Sequence, residues 1–160
     1  MKTMNEQDKN QMLDKVLNEG ETYSAKVWGT IMAGADTMLA IGAAGGILTA
    51  FAGAAATGLS GSMGALTNEY CYVGMTDSRL IFCVVGKMDC SKVKGYFSIH
   101  FDGITKVKVS GSFIPGRKVL KIYIDKKCIK LSLVNNTIGT DIQGQKEGIE
   151  KILNRISDYR

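Results

Sequence analysis

The chain is poor in the residues that usually announce chemistry. Its 160 residues hold one histidine, His100, one proline, Pro115, and one tryptophan, Trp28. A single proline leaves no room for a proline-rich linker. The four cysteines, Cys71, Cys83, Cys90 and Cys128, form no C-x-x-C pair, and His100 alone completes no zinc-ligand spacing. No Gly-Lys-Ser/Thr follows Gly42 or Gly45-Gly46, so a phosphate loop of that type is absent. With no nucleophile, base and orienting group in evident combination, the expectation is a non-enzymatic protein without cofactor or metal. The first residues, MKTMNEQDKNQMLDK, are polar where a secretory leader would be apolar. Scattered unpaired thiols suit a reducing compartment, so the expected location is cytoplasmic, with membrane association open.

Charge is missing most unevenly. From Thr37 to Asn68 the chain runs 32 residues without an ionisable group, TMLAIGAAGGILTAFAGAAATGLSGSMGALTN. A helix of about 20 apolar residues suffices to cross a bilayer. Gly42, Gly46, Ala50 and Ala54 recur every fourth residue, which on a helix makes a flat face for close helix packing. Large side chains are few: Ile41, Ile47, Leu48, Phe51 and Leu59, with Met38 and Leu39 at the front. Glycine costs a helix in water about 1 kcal/mol relative to alanine, so the segment needs lipid or tight packing. It reads as two short helices near 36–50 and 52–60, joined around Gly53. A membrane element, a soluble packed hairpin and a loop all remain open at this stage.

What is there is mostly strand. Met4 to Asn18 predicts a helix with Met12, Leu13, Val16 and Leu17 as its apolar stripe, ended by Gly20. A first strand over 22–31 places Tyr23, Ala25 and Val27 on one face and Trp28 on the other. Further strands are expected at 69–75, 79–86, 93–100, 104–110, 118–125 and 128–134. Their short turns argue for antiparallel pairing, since parallel strands need long crossovers. A last helix over 141–159 carries Ile142, Ile149, Ile152, Leu153 and Ile156, a face suited to capping a curved sheet, while Gln143 and Gln145 are assigned to its wet side. The result is a mainly β, α+β fold: an N-terminal helix in 1–21, a domain over 22–160, and 33–68 inserted within it.

Positive charge collects in the strands. Residues 79–130 carry twelve Lys/Arg against three acids. Alternation sets Lys106, Lys108, Lys121 and Lys130 on outer faces, opposite Val107, Val109, Leu120, Ile122, Ile129 and Leu131. Such a basic surface attracts anionic membrane lipid. It also suits an acidic protein, and ordinary surface solubility is the plain alternative. Nucleic acid is disfavoured, because Tyr96, Phe97 and Tyr123 are not spaced as a stacking platform. Self-association or binding of another protein through the inserted segment is the competing expectation. Cys83 is expected to be a core thiol, since both faces of its strand are apolar.

Three short stretches resemble bacterial pleckstrin-homology-like domains: Thr76-Asp77-Ser78-Arg79-Leu80-Ile81-Phe82, the run from Ser98 to Val107 with its Ile104-x-x-Val107, and Leu17-Asn18-Glu19-Gly20-Glu21. The resemblance covers 17–31 and 69–159 and leaves the uncharged segment as an insertion after the first strand. It implies two curved antiparallel sheets of seven strands capped by a C-terminal helix, in a family whose members are mostly non-enzymatic. From the residues alone, Arg79 is expected to lay its stem on apolar surface with its charge in water. Asp77 is expected to accept backbone N–H bonds in the turn.

Overall fold

The computed structural model describes residues 3–32, 69–86, 88–111, 116–124, 127–135 and 141–159. A nine-residue helix, α1 (Glu6–Asp14), opens the chain. Asn5 caps it by accepting the Asp8 N–H at 2.8 Å, with Glu6 and Asp8 in the first turn where the helix dipole favours acids. Seven strands follow: β1 (Ala25–Ile31), β2 (Glu69–Met75), β3 (Arg79–Val85), β4 (Val93–His100), β5 (Lys106–Gly111), β6 (Arg117–Ile124) and β7 (Lys127–Val134). They form one open antiparallel sheet in the order β4-β3-β2-β1-β7-β6-β5. Helix α2 (Gln145–Ile156) and a short 3-10 turn (Ser157–Tyr159) end the described chain.

Both faces of the sheet are covered over part of its width. The inner face, including Val27, Val73, Phe82, Phe97, Leu120, Ile122 and Leu131, packs against Ile149, Ile152 and Ile156 of α2. The outer face of β2 and β3, through Tyr72, Ile81, Cys83 and Val85, packs against Met4, Met12 and Leu13 around α1. Every residue of β3 is therefore buried, where a one-sided sheet would alternate. Cys83 is a core thiol, as its two apolar flanks suggested.

β1 is the pivot. It pairs with β2 along its whole length but with β7 only at Thr30↔Ser132 and Ile31↔Leu131, extended by Met32 N–H to Lys130 O at 2.9 Å. Nearer its start the two strands part, and side chains take over the missing ladder. Trp28 N–H donates to Gln145 Oε1 at 3.1 Å, and Gln145 Nε2 donates to Trp28 O at 3.0 Å and Val134 O at 2.9 Å. The amide thus stands between Trp28 and the residue that continued pairing would have placed opposite it. Two residues earlier, the buried Lys9 Nζ reaches Lys26 O at 3.4 Å, Gln143 O at 3.0 Å and Glu6 Oε1 at 2.7 Å. Helix α2 crosses β1 so closely that a Cβ on Gly148 would lie 2.5 Å from Val27 Cγ1.

Five expectations are corrected. The last helix begins at Gln145, not at 141, after Gly144 in the left-handed region (φ 69°). Ile142 lies before it, in the outer cluster beside Met4 and Met12, away from the helix's apolar face. Gln145 is buried, because its amide completes the sheet. Arg79 does not reach water: its guanidinium is held inside by Glu21, and the turn bonds assigned to Asp77 are made by Thr76. The helical hairpin expected within 33–68, with Gly42, Gly46, Ala50 and Ala54, lies outside the described residues.

Candidate functional site

The pairing register converts four separate lysines into one feature. Lys108 lies opposite Lys121 across β5 and β6, and Lys121 lies opposite Lys130 across β6 and β7. Directly paired residues share a face, so three ammonium groups line up across three strands, a span of about 10 Å at the usual strand spacing. Lys106 adds a fourth, two residues along β5 and opposite Tyr123. Lys108 Nζ stands 5.8 Å from the Tyr123 ring centroid, near enough for a cation–π contribution. None of the four has an ion-pair partner among the described residues.

Alternation along β6 also brings Arg117 to this face, a cation that single-strand reasoning had not joined to the lysines. Arg117 Nε donates to Ser132 Oγ at 2.8 Å, and its Nη2 lies 3.7 Å from Met32 Sδ. Met32 pairs through its N–H with Lys130, so the lysine row ends at the last described residue before the inserted segment. On the other side of that segment, Glu69 is the register partner of Ile31. Both ends of the insertion therefore root at one point of the sheet, next to Lys130.

The Thr76–Arg79 turn is a structural centre. Arg79 donates through Nη2 to Glu21 Oε1 at 2.6 Å and through Nε to Glu21 Oε2 at 3.0 Å. It also reaches Val16 O at 3.0 Å and Ser98 Oγ at 3.3 Å. Thr76 Oγ1 accepts the N–H groups of Ser78 and Arg79. Hydrogen bonds from Arg79, above all, hold the Glu21 carboxyl at about 2. Each of the three guanidinium nitrogens has a protein partner, which leaves this cluster to hold the N-terminal segment against the sheet.

Other groups do not assemble into chemistry. A groove of about 380 Å³ lies where α1, the start of β1 and the start of α2 meet, but its deepest cation, Lys9, is already satisfied. Cys71, Cys83 and Cys90 are buried and free; burial pushes the Cys83 thiol up to about 12 and Cys71 well above its ordinary value. His100 sits opposite Arg79 at the end of β4, and among the described residues no three His, Cys, Asp or Glu cluster as metal ligands. No described helix is long and apolar enough to cross a membrane. The chain matches no protein-family model and no curated protein.

Proposed function

We propose that the chain is a non-catalytic module of pleckstrin-homology-like architecture that docks on an anionic membrane surface through the lysine face of β5–β7. The seven antiparallel strands and the C-terminal helix on the inner face support this reading, although the strands form one open sheet where the resemblance implies two. The three resembling stretches also meet in space at Arg79, which reaches Glu21 and Ser98.

The observation that carries the docking reading is the register of Lys108, Lys121 and Lys130. Like charges directly opposite in a sheet are destabilising. An anionic surface lying on that face removes the repulsion and turns each lysine into a favourable contact of about 1 kcal/mol. Four such contacts correspond to a dissociation constant of only about 1 mM. Stable attachment needs a second contribution, as it does for singly lipidated proteins. In this reading the uncharged segment 37–68, which follows the Met32–Lys130 pair along the chain, supplies it.

Co-sedimentation of the full chain with vesicles tests this reading. Binding to phosphatidylcholine–phosphatidylserine vesicles is expected to exceed binding to phosphatidylcholine alone, and to weaken in K108E/K121E/K130E. Equal binding to both vesicles, or none to either, would overturn it.

A further inference from the structure

Only three large apolar side chains are strongly exposed among the described residues: Met88 at 78%, Val93 at 40% and Tyr70 at 37%. They come from different elements yet share one corner. Tyr70 pairs with Val85, and Val85 pairs with Val93, so Tyr70 and Val93 belong to one row on the outer face of β2–β4. Met88 projects from the turn that joins β3 to β4, closed by Gly86 N–H to Lys92 O at 2.9 Å. Tyr70 also lies opposite Thr30, which pairs with Ser132. The corner and the lysine row thus occupy the same outer face at the same end of one continuous sheet.

The sequence around Met88 and Val93 is basic. Lys87, Lys92 and Lys94 flank Met88 and Val93 in sequence. The one acid between them, Asp89, turns its carboxylate back to Ser91, accepting its N–H at 3.0 Å and its O–H at 2.6 Å. Apolar and aromatic side chains with lysines as their neighbours in sequence match the composition of a bilayer-interface contact: the apolar groups enter the headgroup–acyl boundary and the ammonium groups stay with the phosphates. A protein partner of ordinary acidity would satisfy the lysines but gives no reason for the methionine and valine to stand bare at a turn.

We infer that Tyr70, Met88 and Val93 form an apolar anchor that enters the interface of the same anionic bilayer contacted by the lysine row. This rests on the membrane reading proposed above and adds to it the residues that hold the protein once charge is screened.

The test uses the full chain and phosphatidylcholine–phosphatidylserine vesicles, with Y70T/M88S/V93T compared against K108E/K121E/K130E. At about 1 M salt, where the screening length is roughly 3 Å, lysine contacts fade and apolar ones persist. The native chain is expected to retain measurable binding there, and the anchor variant to lose about tenfold in affinity at both salt levels. The lysine variant should lose affinity chiefly at low salt. Thermal melting of each variant should match the native chain, because the replaced groups are exposed. A native chain that binds no vesicle refutes the membrane reading itself. A native chain that binds, with an anchor variant indistinguishable from it at both salt levels, refutes the anchor alone. So does an anchor variant that keeps its vesicle affinity but changes oligomeric state in sedimentation velocity, which would assign the corner to a second copy of the chain.

Discussion

Glu21 and Arg79, 58 positions apart, form a two-pronged ion pair at 2.6 and 3.0 Å, with the arginine almost wholly buried and the glutamate at 16% side-chain exposure. Forked geometry uses the planar guanidinium fully, and lysine cannot reproduce it. The pair ties the residues leading into β1 to the start of β3. It also fixes Val16 O, and so the end of the α1 segment.

Replacing Glu21 with Gln leaves the buried guanidinium without a counter-charge. The expected loss is about 3 kcal/mol at neutral pH, at the low end for a broken buried pair because Glu21 retains some water contact. Because the folded-state value lies near 2 against an ordinary 4.5, the pair's contribution is fully present above pH 4.5. It fades as the pH falls toward 2. Urea titrations between pH 7 and pH 2 should show the native chain losing stability across that window and E21Q losing less.

Gln145 gives a second test, because its amide acts as a piece of strand. In Q145L, Trp28 N–H, Trp28 O and Val134 O lose their partner, and the expected cost is about 3 kcal/mol. Q145E keeps an acceptor for Trp28 N–H but sets a carboxylate against two carbonyl oxygens. It should be the less stable of the two at pH 7 and recover as the pH is lowered and the carboxyl gains a proton to donate. An unchanged denaturation midpoint for Q145L would remove Gln145 from the account of how β1 is held.

Most of the strand plan was legible because turns and alternation are local properties. Glu69–Met75 and Val93–His100 have the boundaries that pattern alone suggested. Alternation likewise put Lys106, Lys108, Lys121 and Lys130 on outer faces, but not in register, which depends on how hairpin lengths align distant strands. Arg79 and Gln145 were misjudged for a related reason. Each is polar, and polarity in a sequence reads as exposure unless the partner is known; the partners lie 58 and 117 positions away. Tyr70 and Val93 carried no sequence signal of exposure, since apolar residues in strands read as core.

The apolar face of α2 was found, but its residues are not equally buried. Ile152 is fully buried, while Leu153 is only partly so. Ile152→Ala should cost about 3 kcal/mol through the cavity it leaves. Leu153→Ala should cost distinctly less, and a denaturant midpoint lower for L153A than for I152A would contradict the packing described.

The thiols should be silent in the folded protein. Burial raises Cys83 to about 12 and Cys71 well above its ordinary value, so neither forms a thiolate at neutral pH. Alkylation of Cys71 and Cys83 at pH 7.5 should therefore be slow until denaturant is added, when all four cysteines should react. Elemental analysis should find no stoichiometric zinc. Rapid native alkylation of Cys83, or one bound metal per chain, would each contradict this.

The insertion provides the sharpest division between membrane and assembly roles. Ile31 and Glu69 are paired in the sheet, which places their Cα atoms about 5 Å apart. A segment whose ends meet there leaves and returns on the same side of any bilayer, so a single crossing is excluded. Its 32 uncharged residues hold few large side chains, and glycine and alanine contribute little transfer free energy. Attachment by this segment is therefore expected to be strengthened by the lysine row beside it. In fractionated cells the native chain should pellet with membranes, and a low-salt wash should release K108E/K121E/K130E more readily than the native chain. Deleting 37–68 while joining its ends with a short Gly-Ser turn should move the protein to the soluble fraction at high salt and leave the sheet folded by circular dichroism. A native chain that stays in the soluble fraction, and that loses its oligomeric state on this deletion, would instead establish the segment as an assembly contact and remove the membrane role.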